Sequence, residues 1–311
     1  MTRTSPDSAE IAGSAYADPV YARSLTEFGQ VAELERSGGW VLSRTIPGTP
    51  YSDAMGCYPL FACRDWHGLA RDLASLPGDP VSLMIVTDPF GAPSEGQLTQ
   101  LFDVVRPYKA HFLVDLDLPP ETSVARHHRK SARKALDRLT FQVSDPATQL
   151  DTWQRLYGHI VDKHRVTGIR AFSRESFAVQ AGMKGATMLT ASLDGEVVGM
   201  HWYLTSKDVV YGHLAALHPD AYRVYASHGL FWMAIQHFRG RYRWLDLGAA
   251  AGASPTSTDS LSQFKAAWSS ASAPTFLCGK VVDRDRYRSL SGPIEAGSPA
   301  YFPSYRRGEF A

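Results

Sequence analysis

Residues 188–247 restrict the fold more than any other stretch, because several strand-like and helix-like segments follow one another closely there. Three runs alternate apolar and polar side chains and are separated by short polar turns, at residues 188–193, 197–204 and 209–217. Ser227 can then cap a helix that ends at Gly240, before a last strand over residues 244–247. The hairpins pair antiparallel, whereas a strand, helix, strand unit pairs its strands in parallel. The pattern therefore predicts an α/β (α+β) fold with a mixed sheet.

The first half of the chain also has strand, helix, strand order. Apolar runs at residues 81–87 and 111–118 are typical of buried strands, and residues 97–105 between them have helical spacing. Pro119 and Pro120 then break the chain, which suggests a domain boundary near residue 120. We expect a disordered tail, a first lobe, a second lobe and a C-terminal extension that packs back on the first lobe, over residues 1–15, 16–120, 121–285 and 286–311.

Residues 126–139 predict a helix with one strongly basic surface. Its apolar stripe consists of Ala132, Ala135, Leu136 and Leu139. Such a surface is either a solvated helix face or a binding surface for phosphates, including those of tRNA, and the pattern leaves both open. The cations on this surface are Arg126, Arg129, Lys130, Arg133 and Lys134.

A lysine near the C-terminus follows a glycine-bearing strand exit at Gly248. Ser260 and Gln263 form a capping-box pattern, so Lys265 lies in the first two turns of a short helix. A cation held close to backbone N–H groups can bind a phosphate or stabilise an oxyanion. The alternative is an amphipathic helix in which Lys265 faces water while three apolar side chains fill the core: Leu261, Phe264 and Trp268.

The sequence from Leu245-Asp-Leu-Gly through Leu261-Ser-Gln-Phe-Lys-Ala-Ala-Trp resembles the closing motif of the Fem-like peptidyltransferases, which are relatives of the GNAT acyltransferases. Residues 126–136 resemble the basic helix that opens the second GNAT-like domain of that group, and residues 193–199 resemble its central hairpin. Together these segments extend over about half of the chain. The resemblance implies tandem GNAT-like lobes, each with a mixed sheet flanked by helices.

The resemblance also implies a reaction, which is transfer of an aminoacyl group from aminoacyl-tRNA to an amine without a cofactor. Lys265 is then the expected catalytic residue, and the basic helix is expected to hold the tRNA phosphates. His213, His201 and Asp246 are candidates for a general base. The residues expected to contact substrate are Phe264, Trp268, Tyr211, His213 and Asp246.

Two other functions remain open. Acyl-CoA is an alternative donor, but the segment from Arg223 to Gly229 poorly matches the Q/R-x-x-G-x-G/A turn that holds pyrophosphate in acyl-CoA-using relatives. The other alternative is a GNAT-like scaffold that binds RNA or a partner without catalysis. The acceptor amine and the oligomeric state are not indicated by the sequence.

Composition and cysteine usage are typical of a cytoplasmic enzyme. The formal net charge is +1, so any polyanion must bind a local patch and not the protein as a whole. Three cysteines without a CxxC pair argue against a disulfide framework. No signal-like N-terminus and no stretch of about 18 apolar residues are present, so we expect no membrane insertion. Histidine pairs such as His127-His128 lack zinc-ligand spacing, and no metal site is predicted.

Overall fold

The computed structural model describes residues 14–249, 260–291 and 301–309. The strands in these ranges are β1 (Gln30–Leu34), β2 (Gly39–Thr45), β3 (Ser52–Gly56), β4 (Ser82–Val86), β5 (Val104–Asp115), β6 (Thr140–Ser144), β7 (Thr187–Leu193), β8 (Glu196–Ser206), β9 (Val209–Leu217), β10 (Trp244–Ala249) and β11 (Ala271–Val281). The α-helices are α1 (Pro19–Arg23), α2 (Trp66–Asp72), α3 (Glu95–Leu101), α4 (Pro120–Ser123), α5 (Arg126–Leu136), α6 (Leu150–His164), α7 (Arg174–Ala181), α8 (Ala226–Phe238), α9 (Ser260–Ala266) and α10 (Arg284–Ser291).

The chain divides into two compact units. We call residues 110–249 and 260–273 the central unit, and residues 14–109, 274–291 and 301–309 the N-terminal unit. The chain leaves the N-terminal unit within β5 and returns to it within β11. The boundary between the units therefore lies inside β5, between Lys109 and Ala110, and not near residue 120 as expected. The last six residues of β5 belong to the central unit, and Pro119 and Pro120 come after them. Residues 274–285, expected in the second lobe, belong to the N-terminal unit.

The N-terminal unit contains a mixed sheet in the order β1, β2, β3, β4, β11. Its strand pairs are antiparallel except for β3 with β4, which is parallel. Leu69 of α2 and Leu98 of α3 have no exposed surface and pack with Leu83 of β4 in one hydrophobic core. Burial of these side chains attaches both helices to the sheet.

Within the central unit, the strands pair in the order β5, β10, β9, β8, β7, β6. Only β9 and β10 pair in parallel, across the crossover that contains α8. One face of this sheet packs with α5 and α8 through Tyr203, Val210 and Leu245. The opposite face carries Trp202, whose ring lies 5.3 Å from that of Trp153 on α6. The predicted α/β fold with mixed sheets flanked by helices is confirmed.

A close contact between α5 and α8 depends on Gly229. A Cβ atom at Gly229 would lie 2.2 Å from the Phe141 ring and 3.0 Å from Cβ of Ala135. Ala132 and Ala135, two members of the predicted apolar stripe, are fully buried at this contact. The small side chains therefore let the basic helix pack flat on α8 and fix which of its sides faces outward.

Several predicted segment ends differ from the structure. The helix expected over residues 97–105 ends at Leu101, and Val104 already begins β5. Val104 and Val105 are β-branched and favour a strand. The intervening Asp103 carboxylate accepts a hydrogen bond from the Val281 amide of β11 at 2.8 Å. The basic helix ends at Leu136, three residues before the predicted end at Leu139.

The expected disordered tail falls almost wholly outside the described residues. Its last two residues, Ser14 and Ala15, are buried. The Ser14 hydroxyl donates to the Asp88 carboxylate at 2.6 Å, which anchors this part of the chain. No helix within residues 14–249, 260–291 and 301–309 has both the length and the hydropathy required to cross a bilayer.

The C-terminal segment is joined to β2 and β3 within the N-terminal unit. The Arg306 guanidinium donates to the Asp53 carboxylate at 2.8 Å and to the Thr45 carbonyl at 2.9 Å. Arg306 and Asp53 are both buried. Phe302 covers Gly279 of β11, where a Cβ atom would lie 2.5 Å from its ring. Residues 301–309 are therefore part of the N-terminal unit's core.

Replacing Arg306 by Ala should lower the free energy of unfolding by about 3–5 kcal/mol, because the buried Asp53 carboxylate would lose both of its hydrogen bonds to Arg306 and keep only the more distant Arg44, at 3.8 Å. Urea denaturation followed by tryptophan fluorescence measures this change. Arg288→Ala is a matched control, since Arg288 pairs with Asp285 on the exposed surface of α10. Equal stability of the two variants would show that the buried pair does not stabilise the N-terminal unit.

Candidate functional site

Lys265 lies against the end of strand β10. Its Nζ atom donates a hydrogen bond to the Ala249 carbonyl oxygen at 2.7 Å. Gly248, just before it, has a φ of +75°, and a Cβ atom there would lie 3.3 Å from Nζ of Lys265. Glycine adopts this conformation without strain and leaves room for the lysine. We call Asp246–Ala249 the β10 exit. Lys265, the lysine singled out in the sequence, contacts this segment.

A buried carboxylate fixes the β10 exit from within. Asp246 is 2% exposed, and one of its oxygens accepts a hydrogen bond from the Gly248 amide at 2.7 Å. Its other oxygen lies 2.7 Å from Nδ1 of His111 on β5. Because a carboxylate only accepts, Nδ1 of His111 carries the proton and Nε2 can accept one. Asp246 and His111 thus form a pair in which the aspartate orients a basic imidazole.

His111 is a functional candidate that the sequence did not reveal. It was placed only at the start of a buried strand, and its partner Asp246 is 135 residues away along the chain. Antiparallel pairing aligns His111 with Ala249, the residue whose carbonyl Lys265 contacts. The tertiary structure alone brings the histidine, the aspartate and the lysine to the same strand end.

The sheet register places Tyr211 beside Asp246. Tyr211 on β9 is aligned with Asp246 in the parallel ladder, and Leu113 on β5 is aligned with Asp246 on the other side. Side chains alternate along a strand, and Leu245 and Leu247 point to the α8 side, so Tyr211 and Asp246 lie on the opposite face. Two of the expected substrate-contacting residues are therefore neighbours.

His213 is buried on this second face, against α7. Its Nε2 lies 3.1 Å from the Gln180 side-chain oxygen, and its ring lies 5.9 Å from that of Phe172. Burial lowers the pKa of His213 to about 3. Because its position is enclosed and its basicity is low, His213 is a poor general base at neutral pH.

His201 has a similar environment on the α8 side. Its Nδ1 lies 3.1 Å from the Tyr203 hydroxyl, and its ring packs edge-on against Phe231 at 4.8 Å. Burial and, to a smaller extent, the charge of Lys265 lower the pKa of His201 to about 3. The effect of Lys265 on this pKa shows that the lysine lies close to the imidazole of His201, which is uncharged at neutral pH.

Phe264 and Trp268 of the predicted site belong to an aromatic cluster with His128, His228 and Phe231. His128 lies 4.9 Å from Phe264 and 5.1 Å from Trp268, measured between ring centroids. Trp268 has no exposed surface and stacks on Phe231 at 5.6 Å, whereas Phe264 is partly exposed. Trp268 therefore supports Phe264 from behind, and of these two residues only Phe264 has exposed surface that a ligand could contact.

The basic surface of α5 is positioned as predicted. Arg126, Lys130, Arg133 and Lys134 are exposed, and Arg129 is half-buried. None of these five side chains forms an ion pair with a residue in the described ranges. Exposed arginines elsewhere, such as Arg243 and Arg288, do pair with carboxylates. The positive charge of α5 is therefore not neutralised by the surrounding described residues.

Comparison with known proteins identifies the central unit. Residues 122–257 match the family model for the acetyltransferase (GNAT) domain. The chain therefore contains an acetyltransferase (GNAT) domain. No curated protein matches it in sequence.

Solved structures show that the chain has a Fem-like fold. FemX is 13% identical with a TM-score of 0.66, covering 90% of this chain and 95% of FemX. The C-terminal domain (DUF2156) of a putative lysylphosphatidylglycerol synthetase from Agrobacterium fabrum is 17% identical with a TM-score of 0.61, covering 85% and 90%. L-PGS from Bacillus licheniformis is 13% identical with a TM-score of 0.60, covering 88% and 95%. The predicted resemblance to the Fem-like GNAT group is confirmed.

Helix α8 begins at a different residue from the one predicted. Ser227 does not cap the helix, because the helix starts at Ala226 after Tyr225, which adopts a left-handed conformation with φ of 59°.

Within residues 14–249, 260–291 and 301–309, no three His, Cys, Asp or Glu side chains are grouped to hold a metal. Burial raises the pKa of Cys278 to about 12, so this thiol is not an activated nucleophile at neutral pH.

The buried histidines make stability depend on pH. Burial lowers the pKa of His128 and His228 to about 4, and that of His201 and His213 to about 3, from 6.5. Below pH 6.5 the unfolded chain binds protons that the folded chain does not. We expect the free energy of unfolding to be highest above pH 6.5 and to fall as the pH is lowered towards 4.

Chemical denaturation at pH values from 7.5 to about 4.5 measures this dependence. His128→Phe removes one titrating group and keeps an aromatic ring in the cluster, so its stability should fall less steeply on acidification. A free energy of unfolding that stays constant from pH 7 to 5 would contradict the assignment of neutral buried histidines.

Proposed function

We propose that this acyltransferase transfers an aminoacyl group from aminoacyl-tRNA to an amine acceptor and forms an amide bond. The observation that carries the proposal is the un-neutralised basic surface of α5, in a protein whose net charge is only +1. A local basic surface on a nearly neutral protein is typical of polyanion binding. One structural neighbour is named a putative lysylphosphatidylglycerol synthetase, and that name is consistent with an aminoacyl group as cargo.

The β10 exit supplies groups suited to this reaction. The acceptor amine attacks the ester carbonyl of the donor, so a C–N bond forms and the C–O bond to the tRNA breaks. Nε2 of His111 takes the proton that the amine loses and returns it to the departing ribose oxygen. Asp246 holds the imidazole through Nδ1 and stabilises its protonated form. Lys265 offsets the negative charge that develops on the carbonyl oxygen or on a donor phosphate.

The basic surface predicts a salt-sensitive interaction with tRNA. Each phosphate contact adds about 0.9 to the slope of log affinity against log salt, so reversing several charges should weaken binding and flatten that slope. Lys130→Glu combined with Arg133→Glu should therefore lower the affinity for charged total tRNA by at least tenfold at low salt. Fluorescence anisotropy across a salt series measures both quantities.

A charge reversal on α10 provides the control for this experiment. Arg284→Glu combined with Arg288→Glu makes the same change in net charge on another exposed helix. It should leave tRNA affinity within about twofold of the wild type. Equal weakening by both double variants would mean that net charge, not the α5 surface, controls the interaction.

The assigned roles predict different losses of activity. Lys265→Ala should lower the rate of transfer from labelled aminoacyl-tRNA to a panel of amines by about 10²–10³. His111→Gln and Asp246→Asn should lower it by about 10²–10⁴. Lys184→Ala and His159→Gln, both exposed, are the matched controls and should retain full activity.

A folded His111→Gln variant that transfers the aminoacyl group at the wild-type rate would show that His111 has no part in the mechanism. Circular dichroism and the urea midpoint distinguish loss of chemistry from loss of folding. Lys265→Ala with normal transfer would likewise exclude Lys265 as the catalytic cation.

Acyl-CoA is the second candidate donor. The match of residues 122–257 to an acetyltransferase domain favours it, since that segment includes α8 and the turn before it. Equilibrium binding of acetyl-CoA to the purified protein tests this directly. Acetyl-CoA binding that is independent of the α5 charge reversals, together with no binding of tRNA, would replace the proposed donor.

A further inference from the structure

Tyr222 is an exposed aromatic residue with a cation beside it. It ends the 3₁₀ turn Pro219–Tyr222 before α8 and is 53% exposed, more than any other large apolar side chain in the described part of the chain. Nζ of Lys163, in the last turn of α6, lies 5.0 Å from the centre of its ring. A lysine on one face of a tyrosine leaves the rest of the ring to a ligand that stacks and carries negative charge.

A second tyrosine and lysine pair lies one turn further along the chain. Tyr225 precedes α8, and its amide donates to the Tyr222 carbonyl at 3.3 Å, which sets the two tyrosines on either side of a tight turn. Nζ of Lys134 lies 5.3 Å from the centre of the Tyr225 ring. Lys134 belongs to the basic surface of α5, so this surface reaches the tyrosine pair.

Positive charge continues past the tyrosine pair on the α6 side. Lys163 in the last turn of α6 and Arg165 just after it are exposed, and the side chain of Arg223, between the tyrosines, is 86% exposed. Asp220 and Asp162 are the exposed acids near this surface, and Asp220 contacts His218 and Arg223. Cations outnumber acids there, so the surface is complementary to a phosphate chain.

We infer that Tyr222 stacks an unpaired base of an RNA ligand while Lys163 and Lys134 contact the phosphates on either side of it. The inference rests on the proposed tRNA donor and adds where its single-stranded end binds. Phosphate contacts position a nucleic acid, whereas an aromatic platform selects unpaired bases, because bases in a duplex already stack on one another. The surface therefore favours the single-stranded 3′ end of tRNA over its helical stem.

The test compares the affinities of the protein for two RNAs. One is total tRNA, and the other is the same tRNA from which an exonuclease has removed the unpaired 3′ nucleotides. Tyr222→Ala should weaken binding of intact tRNA about tenfold, since one stacked base is lost, and should leave binding of trimmed tRNA unchanged. Tyr222→Phe keeps the ring and should bind intact tRNA within about twofold of the wild type.

Two further variants complete the test. Lys163→Ala should reduce the salt slope for intact tRNA by about 1, as expected for one lost phosphate contact. Val143→Ala removes another exposed apolar side chain, 42% exposed on β6, and should change nothing.

Three outcomes would overturn the inference. The Tyr222→Ala variant could bind both RNAs with wild-type affinity. It could bind both with equally reduced affinity, or it could lose affinity for acetyl-CoA and keep its affinity for tRNA. If the wild type binds no tRNA, the proposed function and the inference both fail. If the α5 charge reversals weaken tRNA binding and Tyr222→Ala does not, the inference alone fails.

Discussion

The buried carboxylate of Asp246 is the constraint on which the candidate site depends. A charge that is 2% exposed needs partners for its oxygens, and Asp246 finds them in the Gly248 amide and in His111. The first hydrogen bond holds the turn at Gly248, and this turn aims the Ala249 carbonyl at Lys265. The second fixes the imidazole of His111. One buried group thus sets the positions of both a base and a cation.

The central unit also separates charged from neutral groups. His128, His201, His213 and His228 have low pKa values because they are buried, so they are uncharged at neutral pH. The positive charges at neutral pH are instead those of the lysines and arginines on α5 and at the end of α6, and that of Lys265. In the proposed reaction an anionic donor is attracted to the exposed surface, and the groups proposed to react lie among buried side chains, where the dielectric constant is low.

The sequence predicted the regular elements better than the site. Helical and strand periodicity located α5, α8 and the hairpin of β7 with β8, because apolar spacing reports burial directly. It also located Lys265, through a local motif. It missed His111, since neither its spacing nor its neighbours differ from those of an ordinary strand residue. It grouped Trp268 with the ligand-facing residues, although the structure encloses Trp268 beneath Phe264 and beside His128.

The sequence by itself determined the fold class, the basic helix and the lysine at the strand exit. These features depend on residues close together in the chain, where side-chain periodicity and turn residues act locally. Only the tertiary structure decided which distant residues meet. Parallel pairing of β9 with β10, and antiparallel pairing of β10 with β5, bring Tyr211, Asp246 and His111 together. Such register is set by the packing of whole sheet faces on α8 and α6, which no local pattern specifies.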